Sequence, residues 1–276
     1  MDRIRLIASD MDATLLDEQS QLPADFEETI YALAELGIRF APASGRPLYT
    51  LEAMFPTLQD ELVFIGDNGG AIRWKGQNLF TSEMSPEGWR ALNRLTREQG
   101  DIAVLCGLES AYVERPFAVH DAVLRHFYTK IEYVDRLEDV AAPADKFTIY
   151  LPQHNAQQAY DTVYASQRSI YSVAVAGECW VDIMNPGVHK GAALQTLGQL
   201  WGLPSESIMA FGDTYNDAEM LQTVRYGFLM ENGSEPLRQK VPFLAPSHRE
   251  AGVMQVLHRV LAQNGCVCPE DFVPAH

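Results

Sequence analysis

Asp10 and Asp12 stand two residues apart in Asp10-Met11-Asp12-Ala13-Thr14, directly after the apolar run Ile4–Ala8. Such a run reads as a short buried strand, and open α/β sheets bind ligands outside the carboxyl ends of their strands. On an extended backbone the side chains at i and i+2 point the same way. Two acids converging on one crevice repel unless a cation or a division of labour separates them. That suits one acid as nucleophile or metal ligand and the other as acid and base. A solvated acidic turn is the plain alternative, and the rest of the chain must choose.

Three distant segments carry complementary groups. Ser44 and Gly45 follow the apolar run Ile38–Ala43, Lys190 opens a helical stretch, and Asp213, Asn216 and Asp217 follow Ser207–Phe211. Asp10, Asp12 and Asp213 offer hard oxygen ligands of the kind Mg²⁺ takes. Ser44, the backbone N–H of Gly45, Lys190 and Asn216 offer donors to phosphate oxygens. A metal and donors around one acid are what phosphoryl transfer needs, because its catalysis is mostly positioning and electrostatic stabilisation. Lys190 adds a signal of its own, since a cation at a helix N-terminus opposes the macrodipole.

The elements that must position these groups alternate. Strand Ile4–Ala8, a helix from about Pro23 with Phe26, Ile30 and Leu33 at helical spacing, strand Ile38–Ala43 and strand Leu62–Ile65 predict a doubly wound parallel sheet. Pro23 suits a first helical turn and Gly37 a C-terminal stop. Asp67–Gly70 reads as a hairpin turn. Between about Ser82 and Asp182 the texture changes to helices over Ser85–Gln99, around Phe117–Phe127 and near Asn155–Gln167. Strands are expected there over Ile102–Cys106, Ala111–Glu114, Lys146–Leu151, Ile170–Ala176 and Cys179–Met184, with a loop over Asp135–Asp145. This predicts a compact α+β insertion. The wound pattern resumes with helix Lys190–Trp201, strands Ser207–Phe211, Tyr226–Met230 and Phe243–Ala245, and a last helix near Glu250–Leu261.

The chain has 276 residues and a formal net charge of −16, which argues against nonspecific nucleic-acid binding. A small anionic substrate remains compatible, because a lysine, a cation or a helix N-terminus reverses the sign inside one pocket. No apolar stretch approaches the roughly 18–20 residues of a membrane span, and Asp10 and Asp12 interrupt the N-terminal run too early for a signal peptide. A cytoplasmic location is the expectation. Cys106, Cys179, Cys266 and Cys268 fit neither a disulfide framework nor a paired zinc site, and Cys266-Val-Cys268 reads as two incidental thiols.

DMDATLLD, ASGRP, GVHKGAAL and FGDTYNDAEML, in that order, resemble the four motifs of the haloacid dehalogenase (HAD) superfamily of phosphatases. The long gap between the second and third matches the α/β cap of the Cof-type branch, subfamily IIB. CGLESAY and YTKIEYVD resemble the sugar-phosphatase group within it. The resemblance implies a Rossmann-like core over residues 1–82 and 186–276 and a substrate-selecting cap over 83–185. It implies Asp10 as nucleophile, forming an aspartyl phosphate, and Asp12 as the acid and base that protonates the leaving alkoxide and then activates water. Mg²⁺ would be held by Asp10 and Asp213, by Asp12 through its carbonyl, and by Asp217 through the coordination shell. Ser44, Lys190, Asn216 and the N–H of Met11 would hold the phosphoryl group. The implied reaction is hydrolysis of small phosphate esters, most of all sugar phosphates. A phosphomutase or phosphotransferase, or a sugar-phosphate-binding regulator without turnover, is the alternative.

Ala13 stands where the family usually has glycine, which is tolerable if its backbone angles are right-handed helical. Glu231 and Gly233 replace glycine and alanine around Asn232, and Tyr215, beside Asn216, is large enough to narrow the pocket. Arg46 is open between pocket and surface, and Asn68 reads as a turn residue. In the insertion, Glu109, Tyr112, Glu178 and Trp180 are read either as packing or as substrate contacts.

Overall fold

The computed structural model describes residues 1–276. A six-stranded sheet runs in the order Val273–Pro274, Phe243–Ala245, Tyr226–Met230, Ile208–Gly212, Leu6–Ser9, Arg39–Pro42. All its pairings are parallel except the first, which is antiparallel. Successive residues of the central strands bury on opposite faces. Ile7, Phe40, Phe211 and Phe228 join the apolar cluster under helices Phe26–Glu35 and Gly252–Ala262. Leu6, Ala8, Ala210 and Leu229 join the cluster under helices Lys190–Trp201 and Ala218–Thr223. A parallel sheet covered by helices on both faces is the arrangement that such near-continuous apolar strands require. The doubly wound α/β core is therefore as expected.

Strand Val63–Gly66 touches the edge of this sheet through the parallel bridges Phe40–Leu62 and Ala43–Ile65. It turns at Asp67–Gly69 into Ala71–Trp74 and then Gln77–Thr81, a three-stranded antiparallel sheet. Helix Leu48–Ala53 was not anticipated; at six residues it is too short to display an apolar period.

The stretch between these halves builds a second six-stranded sheet, ordered Ser172–Ala176, Trp180–Met184, Ala144–Tyr150, Ile102–Gly107, Ala111–Glu114, Ile131–Val134. Only the last pair is parallel. Helices Pro86–Gln99 and Ala156–Thr162 cover one face. Ser85 caps the first, accepting from Gly88 N at 3.1 Å, and left-handed Gly100 ends it. Helix Asp121–Phe127 lies on the other face, and the expected helix around Phe117 begins there as a 3₁₀ turn over Arg115–His120. The helix expected near Asn155–Gln167 likewise gives way to 3₁₀ turns after Thr162. Ile131–Val134 is an additional edge strand, and Ala144 and Asp145 belong to a strand instead of the expected loop. No helix is long and apolar enough to cross a membrane.

Candidate active site

The carboxyl ends of strands Leu6–Ser9, Arg39–Pro42 and Ile208–Gly212 lie side by side, so the segments that follow them meet. Asp10 N donates to Phe211 O at 2.9 Å, tying the first acid to the strand that leads to Asp213. Carboxylate oxygens of Asp10, Asp213 and Asp217 lie within 4.8 Å of one another. Lys190, fully buried, donates to Asp10 Oδ1 and, at 2.7 Å, to Asp217 Oδ1. Its position at the helix start resolves the unfavourable macrodipole: the ammonium serves two buried carboxylates.

Asp217 is fixed from both sides. Its Oδ2 accepts from the N–H groups of Asp213 and Thr214 at 3.0 and 3.1 Å. Gly212 permits this, because a Cβ there would lie 2.4 Å from that of Asp217. Gly191 similarly lets the Lys190 helix approach Glu219, whose backbone a Cβ would meet at 2.7 Å.

Three carboxylates against one ammonium leave an excess of negative charge in a buried place. Burial, with Asp217 and Asp213 adding to it and Lys190 opposing it, pushes the Asp10 carboxyl up to about 7. Burial and Asp217 push Asp213 up to about 6. Hard oxygen donors with uncompensated charge fit a small divalent cation. The cluster therefore suits the expected metal, with Asp10 and Asp213 as the available ligands and Asp217 already committed to backbone N–H groups and Lys190.

Asp12 departs from its expected partner. The strand ends at Ser9, and the chain enters a tight turn over Met11–Leu15 that closes with Leu16 N donating to Met11 O at 2.9 Å. The two-residue period of a strand does not survive that turn. Asp10 goes into the carboxylate cluster, while the Asp12 side chain is 58% exposed and pairs with Arg46 at 3.0 Å. The repulsion anticipated between the two acids is relieved by separate cations, Lys190 and Arg46. The Asp12 carboxylate stays outside the cluster.

Ala13 corrects an expectation. Its φ of 58° and ψ of 11° are left-handed, not right-handed. The conformation is held by Asn232, whose Nδ2 donates to Ala13 O at 2.8 Å. A left-handed alanine costs about 1–2 kcal/mol relative to its relaxed state. Ala13→Gly is expected to stabilise the fold by up to about 1 kcal/mol. Urea unfolding checks this, and an unchanged midpoint would show the strain to be absent.

Ser44 is buried, its Oγ accepting from Arg46 N at 3.1 Å. Asn216 Nδ2 lies 3.5 Å from Asn68 Oδ1, and Thr214 Oγ1 donates to Asn216 Oδ1 at 2.6 Å. Above them opens a cavity of about 600 Å³ between the two large sheets. Asp12, Ser44, Gly45, Asn68, Thr214 and Asn216 line its base, and Phe127, Tyr128, Val175 and Trp180 its other wall. Tyr215, 60% exposed, also lines it. Among the insertion candidates Trp180 lines this cavity, whereas Glu109 pairs with Arg73 and Glu178 lies beside His154. Tyr112 borders a separate depression.

Sequence reasoning missed Lys146, Thr148 and Asp182, which also line the cavity. The available signal was Ala144–Tyr150 itself, where Lys146 and Thr148 alternate with Phe147 and Ile149 in a strand buried throughout. Asn68, taken as a turn residue, is both: its φ is 55°, and its Nδ2 donates to Asp182 Oδ2 at 3.2 Å.

Residues 7–257 match the family of haloacid dehalogenase-like hydrolases. The chain is 31% identical over 262 residues to the 5-amino-6-(5-phospho-D-ribitylamino)uracil phosphatase YbjI of Escherichia coli, covering 94% of this chain and 96% of that protein. It is 30% identical to the HMP-PP phosphatase of Cronobacter sakazakii, over 87% of this chain and 89% of the relative. The crystal structure of SMU.1108c from Streptococcus mutans superposes with a TM-score of 0.83 at 28% identity, covering 94% of this chain and 99% of that one. The ordered motifs, the wound core and these likenesses agree: the chain belongs to the haloacid dehalogenase-like hydrolases, in their Cof-type branch, and is a phosphatase.

Proposed function

We propose that the protein is a Mg²⁺-dependent phosphatase of small phosphorylated metabolites, sugar phosphates foremost, working through an aspartyl phosphate on Asp10. The carrying observation is the Asp10–Asp213–Asp217 cluster, bridged by buried Lys190; the cluster's chain neighbours Asp12, Thr214 and Asn216 line a cavity of about 600 Å³. Residues 1–82 and 186–276 form the catalytic core in this reading, and residues 83–185 form the cap that closes over it. A cavity of this size takes a metabolite and leaves no room for a macromolecule. The relatives' names, a ribitylamino-uracil phosphate in one case, agree with a small hydroxylated ester.

An Asp10 carboxylate oxygen attacks phosphorus, and the bond from phosphorus to the leaving oxygen breaks. Asp12, held by Arg46 in the cavity, protonates the leaving alkoxide. The same carboxylate then takes a proton from water, whose oxygen attacks phosphorus and releases Asp10. Asp10, Asp213 and the Asp12 carbonyl would hold Mg²⁺, which would supply charge neutralisation for the phosphoryl oxygens. Ser44, Asn216, Lys190 and the N–H groups of Met11 and Gly45 orient those oxygens.

Phosphate release should stop with EDTA and return with Mg²⁺. Protons and metal compete for the same two carboxylates, one pushed up to about 7 and the other to about 6. Activity should accordingly fall as pH drops below about 7, and raising Mg²⁺ should move that acid limb to lower pH. An acid limb indifferent to Mg²⁺ would remove the metal from these carboxylates. In ¹⁸O-water the released phosphate should carry one labelled oxygen; consumption of the ester with the phosphoryl group passing to another hydroxyl, and no labelled phosphate, would identify a phosphotransferase.

A further inference from the structure

The cavity has a polar floor that phosphoryl transfer does not use. Lys146 and Thr148 lie on one face of strand Ala144–Tyr150, and Asp182 sits opposite Thr148 on the neighbouring strand. The Lys146 and Asp182 side chains line the cavity yet are only 2% and 6% exposed. Burying an ammonium and a carboxylate costs several kcal/mol for each ion before pairing returns any of it, and apolar residues of the same volume often do as well. Packing alone does not account for their presence.

Their hydrogen bonds leave one donor and some acceptor capacity over. Of the three donors of Lys146 Nζ, one goes to Gly45 O at 2.7 Å and a second faces Asp67 Oδ1 at 2.9 Å. Asp182 Oδ1 accepts from Thr148 Oγ1 at 2.8 Å, and Oδ2 accepts from Asn68 Nδ2 at 3.2 Å. A carboxylate has about four lone-pair sites, so roughly half its capacity is unused. Lys146 Nζ and Asp182 Oδ2 are 3.8 Å apart, too far for a hydrogen bond between them. An oxygen about 2.8 Å from each fits that gap. It must accept from the ammonium and donate to the carboxylate, and a hydroxyl does both at one atom. A carbonyl or phosphoryl oxygen would meet the Asp182 oxygen lone pair to lone pair.

We propose that Lys146 and Asp182 form a specificity-determining pair that binds one hydroxyl of the leaving group, and that the pair selects phosphate esters of sugars and polyols. Lys146 also holds the carbonyl of Gly45, next to Ser44, so the hydroxyl is read at a fixed distance from the phosphate-binding loop. Thr148 and Asn68 position Asp182, and Trp180 with Phe127, ring centroids 5.0 Å apart, walls the apolar part of the leaving group. The assignment rests on the phosphatase reading above.

The test compares kcat/KM for ribose 5-phosphate, glucose 6-phosphate and flavin mononucleotide with that for p-nitrophenyl phosphate, whose leaving group has no free hydroxyl once esterified. The wild type should prefer at least one hydroxylated ester. Asp182→Asn keeps the volume and turns one acceptor oxygen into a donor; the ratio for the preferred ester should fall about 10- to 100-fold, mainly through KM. Lys146→Met should lower the same ratio. A ratio within one preparation does not depend on how much of the variant is folded. No preference in the wild type, or an unchanged ratio in Asp182→Asn, overturns the assignment while leaving the phosphatase reading intact. Absence of Asp10-dependent turnover on every ester, p-nitrophenyl phosphate included, overturns both.

Discussion

Asp10→Asn is expected to lower phosphate release by about 10⁴-fold or more, the size of loss seen when a covalent nucleophile is removed from an otherwise intact site. The amide has nearly the same shape but cannot attack phosphorus. The variant should also be no less stable than the wild type in metal-free buffer at pH 8. Burial holds the Asp10 carboxyl at about 7, up from its ordinary 3.8, so the native state binds this proton more tightly than the unfolded chain does. The group's contribution to stability is therefore fully present below about pH 4 and is lost as pH rises toward 7. A neutral asparagine is free of that loss at every pH. Thermal melts at pH 8 with EDTA check the stability, and malachite-green phosphate assays check the turnover. Release within tenfold of wild type would remove Asp10 from the nucleophile's role. A melting point lowered by several degrees would refute the account of its charge.

Asp10, Asp213, Ser44 and Lys190 were legible because each follows or opens a regular element, and a wound sheet brings its strand ends to one edge by topology alone. That logic needs only the order of strands and where each stops. Lys146 and Asp182 lay beyond it, because they sit inside strands and meet the core only through tertiary placement. Lys146 reaches Gly45, which is 101 positions away in sequence, and Asn68 reaches Asp182 across 114. Nothing local marks such partners except a charge where a buried strand should have none. Ala13 failed for a different reason: its left-handed angle goes against the preference of the alanine itself and accompanies a hydrogen bond from Asn232, 219 residues away. Asp10 and Asp12 also part more sharply than their spacing implied. The two-residue spacing suggested one shared crevice, whereas the turn at Met11 gives each acid its own cation.

Lys190→Met tests the electrostatic frame of the whole site. The lysine is fully buried and donates to both Asp10 and Asp217, and burial alone would lower its pKa; the two carboxylates more than reverse that and hold it above its ordinary value. Methionine fills the space but leaves the carboxylates without their cation. Breaking a buried ion pair from one side costs about 3–5 kcal/mol, and the loss should appear in metal-free urea unfolding at pH 8. Its pH dependence separates this cause from poor packing. Without the ammonium the Asp10 carboxyl rises above its present value of about 7, so acidification lets it neutralise and the defect should shrink toward pH 5. A packing defect would persist at both pH values. Adding Asp10→Asn to Lys190→Met removes one orphaned charge and should recover a large part of the stability at pH 8, whereas two independent losses would simply add. Mg²⁺ should also stabilise the single variant, since it restores positive charge to the same oxygens. Turnover would remain about 10²–10³-fold down even so, because the donor proposed for the phosphoryl oxygens is gone. Equal instability at pH 5 and pH 8, with no recovery in the double variant, would show that Lys190 is held by its packing and not by the two acids.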